Sequence, residues 1–444
     1  MNSWRQVFPI LVADDELGLD TAGGRALQDI IQQLQAKGFT TIEAHTVDDG
    51  RSLFLSRPNI GAVLLDWDLD AGTQCTPGEL VSLVRERNED VPIFLLTEKL
   101  TIGDIPLPVL RLIHGYLWKL EDTPRFIAGR IEEAWDDYFE SLLSPFFGGL
   151  IRYSEEYKYA WHTPGHSGGV AFLKSPVGRV FFDFFGENAL RSDLSVSVPE
   201  LGSLLGHSGV VGEAEANAAR VFGADRTYFV TGGTSAANRI VFHATVNPGD
   251  IVLVDRNCHQ SVMHAIAMTG AIPIYLLPNR NRHGIIGPLP PGELTPQAVR
   301  EKLASHPLTR GLPRAEAKLA VITNSTYDGL CYDVAAVQHQ LRGVAKYVLF
   351  DEAWYAYARF HPLYRNRYAM CEQEADSDEP VVFATQSTHK VLAAFSQGSM
   401  VHVRDRHVPA ADRVDHERFN QAFMMHTSTS PQYAIIGSLD VATQ

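Results

Sequence analysis

The sequence contains few cysteines and no long apolar run. Its four cysteines, Cys75, Cys258, Cys331 and Cys371, are widely separated and form no Cys-x-x-Cys pair. The sequence therefore predicts neither a disulfide framework nor a zinc site. Apolar stretches are short and interrupted by charge, and no basic-then-apolar signal pattern opens the chain, which argues against membrane insertion and secretion. We expect a soluble, cytoplasmic protein with reduced thiols.

Clusters of basic residues are also absent. The 444 residues include 38 Lys and Arg against 52 Asp and Glu, which gives a formal net charge of −14. Because affinity for a phosphate backbone comes largely from clustered Lys and Arg, we expect no nucleic-acid partner. Hydrophobic residues make up 45% of the chain and charged residues 20%, which are ordinary globular values. The length suits two or three domains.

Residues 1–140 alternate short apolar runs with amphipathic stretches. This alternation predicts βαβ units around a parallel sheet, and hence an α/β domain. The predicted strands are 7–13, 62–66, 91–96 and 112–117, and the predicted helices are 24–36, 78–87 and 124–142.

Polar residues follow the strands predicted in this domain. They are Asp14, Asp15, Asp66, Thr97 and Lys119. Because the carboxyl ends of parallel strands converge on one crevice, we expect these side chains to meet there. The set resembles the phosphoacceptor site of response-regulator receiver domains. Two interpretations stay open: acids that only terminate strands, and a phosphoreceiver of a signalling protein at Asp66.

Residues 141–198 are rich in Gly, Pro and aromatic residues. This composition predicts turns and extended segments, and we expect a linker region. His162 and His166 lie four residues apart, but Pro164 and Gly165 between them exclude the helix that would place both on one face. We expect no metal site there.

From residue 199 to 444 the α/β alternation resumes. A helix is predicted at 213–222, and a mostly parallel sheet is expected from the strands 227–230, 251–254, 272–277, 319–323, 347–350 and 381–384.

Three motifs of this second domain follow predicted strands. The segment 231–238 carries two glycines with Thr234 and Ser235 where a helix begins, and such a turn suits a phosphate group. His259 follows another strand, where its flat ring could stack on an aromatic cofactor. Asp351 ends a buried apolar strand and requires a cation or a strong donor, because an isolated buried carboxylate is costly.

The fourth motif, 385–390, contains Lys390. A lysine in a partly desolvated crevice can act as an amine nucleophile toward an aldehyde, and Ser387 and His389 beside it could satisfy a phosphate. An amine, phosphate donors, a flat ring and an acid for a ring nitrogen are together what pyridoxal 5'-phosphate requires. We therefore predict this cofactor.

The chain is similar to the bacterial ornithine/lysine/arginine decarboxylase family of fold type I pyridoxal-phosphate enzymes. Matching segments are Trp161-His162-Thr163-Pro164-Gly165-His166, Ser192-Asp193-Leu194-Ser195, Asp255-Arg256-Asn257-Cys258-His259, the stretch 322–329, Gln386 to Lys390, and Met424-Met425-His426-Thr427. The resemblance implies a receiver-like (flavodoxin-like) N-terminal wing domain. It also implies an aspartate aminotransferase-like large domain at 199–444.

The resemblance also implies roles for individual residues. Lys390 would form the Schiff base, Asp351 would pair with the pyridine nitrogen, and His259 and Ala353 would face the two sides of the ring. The phosphate ligands would be Thr234, Ser235, Ser387 and His389. Ser428 would reach the phosphate of a neighbouring subunit, which implies a homodimer with shared active sites, and relatives assemble such dimers into decamers.

The expected reaction is the decarboxylation of a basic amino acid, with Lys390 or His389 returning a proton to the product. Segment 386–400 favours L-lysine, giving cadaverine and CO2, whereas 185–188 and 350–358 are nearer the arginine branch. Arginine or ornithine decarboxylation, and an aminotransferase or aldolase-type lyase of the same fold, stay open as alternatives. The sequence stops at Gln444 before the family's small C-terminal domain, so we expect residues that choose the substrate to lie outside it.

Overall fold

The computed structural model describes residues 4–69, 75–97, 103, 105–156, 161–195, 198–311, 316–372 and 375–444. The chain divides into two compact units, Met1–Leu143 and Ser144–Gln444. Within the described ranges, no helix combines the length and the apolar character needed to cross a membrane.

The first unit contains a five-stranded parallel sheet. Its strands are β1 (Ile10–Ala13), β2 (Thr41–Ala44), β3 (Ala62–Asp66), β4 (Ile93–Thr97) and β5 (Gly115–Trp118). Their order is β2-β1-β3-β4-β5, and every neighbouring pair is parallel. The strand order is that of flavodoxin-like doubly wound folds, as the sequence predicted.

Helices flank this sheet and cover two separate apolar clusters, which explains why β1 is buried on both faces. They are α1 (Trp4–Val7), α2 (Ala22–Ala36), α3 (Val47–Ser56), α4 (Pro77–Arg87), α5 (Leu107–Leu110) and α6 (Pro124–Leu142). Four of them begin at a threonine whose hydroxyl accepts a hydrogen bond from a backbone N–H of the first turn, and such caps define a helix start.

The second unit is built on a seven-stranded sheet. Its strands are β6 (Arg226–Val230), β7 (Ile251–Asp255), β8 (Ile272–Leu276), β9 (Ala317–Thr323), β10 (Ala345–Asp351), β11 (Val381–Gln386) and β12 (Ser399–Arg404). The order is β6-β12-β11-β10-β9-β7-β8, and β12 runs opposite to the other six strands of this sheet. The prediction of a mostly parallel sheet is confirmed.

The helices of the second unit are α7 (Pro145–Glu155), α8 (Pro176–Phe185), α9 (Glu187–Arg191), α10 (Val210–Phe222), α11 (Gly233–Thr245), α12 (Gln260–Thr269), α13 (Pro296–Ser305), α14 (Val334–Gln340), α15 (Thr388–Val391), α16 (His416–Met425) and α17 (Tyr433–Val441).

The strand register aligns the carboxyl ends of three neighbouring strands. Asp351 at the end of β10 lies opposite Thr323 of β9 and Thr385 of β11. Polar side chains from separate parts of the sequence therefore meet at one edge of the sheet.

The segment 141–198 differs from the predicted irregular linker, because much of it forms helices α7, α8 and α9. Pro145 and Pro176 stand in the first turn of a helix, where proline starts a helix rather than interrupting it. Helix α7 also joins the core of the second unit through Phe146 and Leu150. Segment 145–155 thus belongs to the second compact unit.

Two strands, β2 and β12, were not predicted, and the first predicted strand was too long. The strand β2 is half-exposed along most of its length and carries no apolar run. At the beginning of predicted strand 7–13, Val7 instead ends the one-turn helix α1 and is 47% exposed.

Asp440 of α17 holds the N-terminus of α7. Its Oδ2 accepts hydrogen bonds from the backbone N–H groups of Phe146 at 2.8 Å and Phe147 at 2.9 Å. Burial raises the pKa of the Asp440 carboxyl, and the bonds from α7 oppose that shift. Because the side chain is fully buried, water cannot replace it as the acceptor.

We predict that Asp440→Ala lowers the free energy of unfolding of the second unit by about 2 kcal/mol, because two buried N–H donors lose their acceptor. Asp440→Asn is the matched control, since it keeps one acceptor oxygen, and a smaller loss is expected. Chemical denaturation of both variants measures the difference. Equal losses in the two variants would contradict the capping role.

Candidate active site

A cavity of about 640 Å³ lies at the carboxyl edge of the second sheet. Eight of the nine predicted site residues line it: Thr234, Ser235, His259, Asp351, Ala353, Ser387, His389 and Lys390. They come from four separate segments of the chain, which the strand register and helix starts bring together.

Lys390 lies on the short helix α15 that directly follows β11. Its Nζ is 4.5 Å from the centroid of the Trp354 ring, a distance suited to a cation–π contact. Partial burial lowers the pKa of Lys390, and the charge of Asp351 opposes that shift. The amine is thus available inside the cavity and is easier to deprotonate than an ordinary lysine.

Asp351 places a buried carboxylate in the same cavity, with 3% of the residue exposed. Its Oδ2 accepts a hydrogen bond from Asn238 Nδ2 at 3.0 Å, and its Oδ1 accepts one from the Ala353 N–H at 3.3 Å. Burial raises the pKa of Asp351, and the Asn238 bond opposes this. Among the described residues, no lysine, arginine or histidine nitrogen lies within 4.0 Å of this carboxylate. A cationic ligand bound beside this carboxylate would therefore stabilise its charge.

His259 caps helix α12 and has its Nδ1 occupied by Ser261. This nitrogen accepts a hydrogen bond from the Ser261 N–H at 3.2 Å and lies 2.8 Å from the Ser261 hydroxyl. In the neutral ring the proton therefore lies on Nε2. These bonds fix the imidazole beside the cavity and leave its face available for stacking.

The N-terminus of α11 supplies a polar subsite. The hydroxyls of Thr234 and Ser387 are 2.6 Å apart, and they join this helix start to the segment before Lys390. The His389 Nδ1 donates to the Gly398 carbonyl at 2.8 Å, which orients its ring. Hydroxyls at the N-terminus of a 13-residue helix suit a phosphate group.

Ser428 is the ninth predicted residue, and the structure does not bring it into this cavity. It lies exposed after α16, where its hydroxyl accepts a hydrogen bond from the Ser430 N–H at 3.1 Å. Its expected contact with a neighbouring subunit stays a prediction.

Sequence reasoning missed several residues of the site. Asn238 and Ser261 are buried beside Asp351 and His259, and the Trp354 and Tyr327 rings form an aromatic wall with centroids 5.5 Å apart. One signal was available for Asn238: it lies four residues after Thr234 in a helix, and this spacing puts both on one face.

The first unit brings together four of the five polar residues predicted at its strand ends, namely Asp14, Asp15, Asp66 and Lys119. Lys119 Nζ lies 2.9 Å from Asp14 Oδ2, 2.7 Å from Asp66 Oδ2 and 2.7 Å from Glu16 Oε2. Burial and the charge of Asp66 raise the pKa of Asp14 to about 6, while Lys119 opposes that shift. Asp14, Asp66 and Lys119 are all buried, so they do more than solvate loops. Asp15 is exposed, although its carboxylate lies within 4.8 Å of the carboxylates of Asp14 and Asp66.

We predict that Lys119→Met destabilises the first unit by about 3 kcal/mol, because removing one partner leaves buried carboxylates unpaired. Hydrogen exchange of the β1 and β3 amides in the full chain measures the loss. Arg25→Met is the control, since Arg25 pairs with Asp20 on the surface and an exposed pair contributes little. Equal protection in wild type and Lys119→Met would contradict the expectation.

The chain belongs to the Orn/Lys/Arg decarboxylase family. Residues 144–444 match the model of the family's major domain, and residues 22–138 match that of its N-terminal domain. The membership agrees with the resemblance drawn from the sequence motifs.

Individual relatives include decarboxylases of lysine and of arginine. Lysine decarboxylase LdcA of Pseudomonas aeruginosa is 48% identical over 98% of this chain and 58% of its own length. The biodegradative arginine decarboxylase of Escherichia coli is 41% identical over 98% of this chain and 57% of its own length. The chain thus spans less than two thirds of the relatives it matches.

Solved structures show the same likeness. That of lysine decarboxylase A from Pseudomonas aeruginosa superposes with a TM-score of 0.88, covering 98% of this chain and 58% of that one. The constitutive lysine decarboxylase of E. coli gives a TM-score of 0.87 at 36% identity with the same coverage.

Proposed function

We propose that this protein is a pyridoxal 5'-phosphate-dependent decarboxylase of a basic amino acid, with L-lysine as the preferred substrate and cadaverine and CO2 as products. One observation carries the proposal: Asp351, a buried carboxylate whose hydrogen-bond donors among the described residues are neutral, shares a cavity with the amine of Lys390. The family supports the reaction type. The lysine decarboxylase that is 48% identical supports the substrate.

The residues of the cavity fit the cofactor. The Asp351 carboxylate suits a protonated ring nitrogen, the open face of His259 suits an aromatic ring, and the Thr234 and Ser387 hydroxyls suit a phosphate. The cofactor, when bound, supplies a conjugated ring that accepts the electron pair of the breaking bond between Cα and the carboxylate.

Individual residues of this chain would then have separate roles in the reaction. Asp351 holds a proton at the ring nitrogen, because its buried charge stabilises the protonated form. Lys390 Nζ would hold the cofactor by condensing with its aldehyde carbon and releasing water, and the lowered pKa of Lys390 favours the neutral amine that this bond needs. We assign the return of a proton to the substrate Cα to Lys390 Nζ, with His389 as the alternative donor.

We further propose that the protein works in the cytoplasm as a homodimer that assembles into a decamer and shares its active sites. The exposure of Ser428 supports this arrangement, because its hydroxyl is open to a second subunit. The first unit would then serve assembly. A phosphoreceiver at Asp66 stays the alternative, since Lys119 contacts both Asp14 and Asp66.

We predict that the protein reconstituted with pyridoxal phosphate shows a visible absorption band that borohydride abolishes, and that Lys390→Ala lacks this band. Peptide mass analysis after reduction should find the label on Lys390, because this lysine alone among the cavity-lining residues carries an amine. Lys346→Ala is the control, since Lys346 pairs with Asp412 outside the cavity. A colourless wild type, or a label on another lysine, would refute the assignment.

Measurement of released CO2 tests the substrate. We predict that lysine gives a higher kcat/KM than arginine or ornithine, and that Asp351→Asn lowers kcat by about 100-fold because the ring nitrogen loses its charged partner. If cofactor-loaded protein released no CO2 from any of the three, the decarboxylase proposal would fail. A preference for arginine would overturn only the proposal that lysine is the preferred substrate.

A further inference from the structure

Asn238 is a fully buried residue of α11 whose amide lies between the acid and the histidine of the site. Its Nδ2 donates hydrogen bonds to Asp351 Oδ2 at 3.0 Å and to Ser261 Oγ at 2.9 Å. Its Oδ1 accepts one from the Thr385 hydroxyl at 2.7 Å. Both N–H groups of the amide are thus used. The first branch of this network leads to Asp351, and the second leads through Ser261 to His259.

The carboxylate of Asp351 decides which way this amide points. A flipped amide would set its oxygen against Asp351 Oδ2, where two acceptors would repel each other. The Thr385 hydroxyl then supplies the matching donor for Oδ1. The amide has one stable orientation, in which it favours the charged form of the buried acid.

The second branch reaches His259 through Ser261. Because the Ser261 hydroxyl accepts its hydrogen bond from Asn238, its own proton is free to point to His259 Nδ1, 2.8 Å away. The hydroxyl is thus a second donor to Nδ1 beside the Ser261 N–H, which already holds the ring proton on Nε2. One amide therefore constrains both residues that would face the cofactor's ring.

We propose that Asn238 is a positioning residue that holds Asp351 in its charged, oriented form and, through the Ser261 hydroxyl, orients the His259 ring. The role rests on the proposed function, which supplies the cofactor that both residues would contact. Asn238 itself does not line the cavity, so it acts only through these two neighbours.

The affinity for pyridoxal phosphate, measured by absorbance titration, tests the first branch. In Asn238→Asp a second carboxyl group faces Asp351 where the amide was. The two acids then share a proton, which removes much of the Asp351 charge. We expect the dissociation constant to rise at least tenfold, and the pH at which the cofactor binds best to move upward.

A double-mutant cycle separates positioning from simple packing. Asp351→Asn alone should also raise the dissociation constant at least tenfold. In the double variant Asn238→Asp/Asp351→Asn, the new amide can donate to the new carboxylate, and we expect binding no weaker than in Asp351→Asn alone. The role of Asn238 would be overturned if the dissociation constant of the double variant rose by the product of the two single effects. It would also be overturned if Asn238→Asp bound the cofactor as tightly as the wild type.

Ser261→Ala isolates the second branch, because it leaves the bond between Asn238 and Asp351 intact. We expect cofactor binding to weaken two- to tenfold. Thr269→Val is the matched control: this buried hydroxyl of the same helix bonds only carbonyls of its own helix, and binding should not change.

A measurement without cofactor keeps the two proposals distinguishable. Nitrogen-15 NMR of the cofactor-free protein, with the His259 signals assigned by His259→Gln, should show the Nε2–H tautomer in the wild type. In Ser261→Ala and Asn238→Asp the tautomer should stay the same, because the Ser261 N–H remains, but the Nδ1 signal should move downfield because the hydroxyl donor is lost. Wild-type protein with this tautomer but no affinity for pyridoxal phosphate would refute the proposed function alone. An Nδ1 signal unchanged from wild type in both variants would refute the role of Asn238 toward His259.

Discussion

The burial of a negative charge at the end of β10 is the constraint on which the rest of the site depends. The Asp351 carboxylate lines the cavity and has an amide and a backbone N–H as its hydrogen-bond donors. Taking such a charge out of water is costly unless a cation or several donors compensate it. In the proposed function the protonated ring of the cofactor would compensate this charge, and the strand register that aligns β9, β10 and β11 determines where that ring would lie.

The two units of the chain solve the same electrostatic problem differently. In the first unit, acids at the carboxyl edge of a parallel sheet surround the ammonium of Lys119 at 2.7 to 2.9 Å. In the second unit, Lys390 lies in the same cavity as Asp351, but its Nζ contacts the Trp354 ring. A lysine that pairs with acids completes a structural cluster. A lysine held over an aromatic ring stays available for reaction.

The sequence was informative where a single strand determines the position of a side chain. Lys390, Asp351 and His259 each follow an apolar run, and parallel strands bring their carboxyl ends together, so their convergence was predictable. Asn238 and Asp351 are 113 residues apart, and no local pattern shows that they touch. The segment 145–155 was predicted to be irregular because proline interrupts the interior of a helix, whereas Pro145 stands in the first turn of one. Strand β2 was missed because an edge strand needs no apolar run.

Two consecutive acids at the end of β10 show why residue type alone could not identify the site. Neighbouring side chains of a strand point to opposite faces of the sheet. Glu352 accepts hydrogen bonds from Asn324 Nδ2 at 2.9 Å, the Ala369 N–H at 2.7 Å and Gln386 Nε2 at 3.0 Å, and burial raises its pKa to about 7. Protein donors therefore occupy both of its oxygens. Asp351 also has a donor on each oxygen, but the described residues that line the cavity include Asp351 and not Glu352. This position, rather than residue type, makes Asp351 the acid that a ligand can reach.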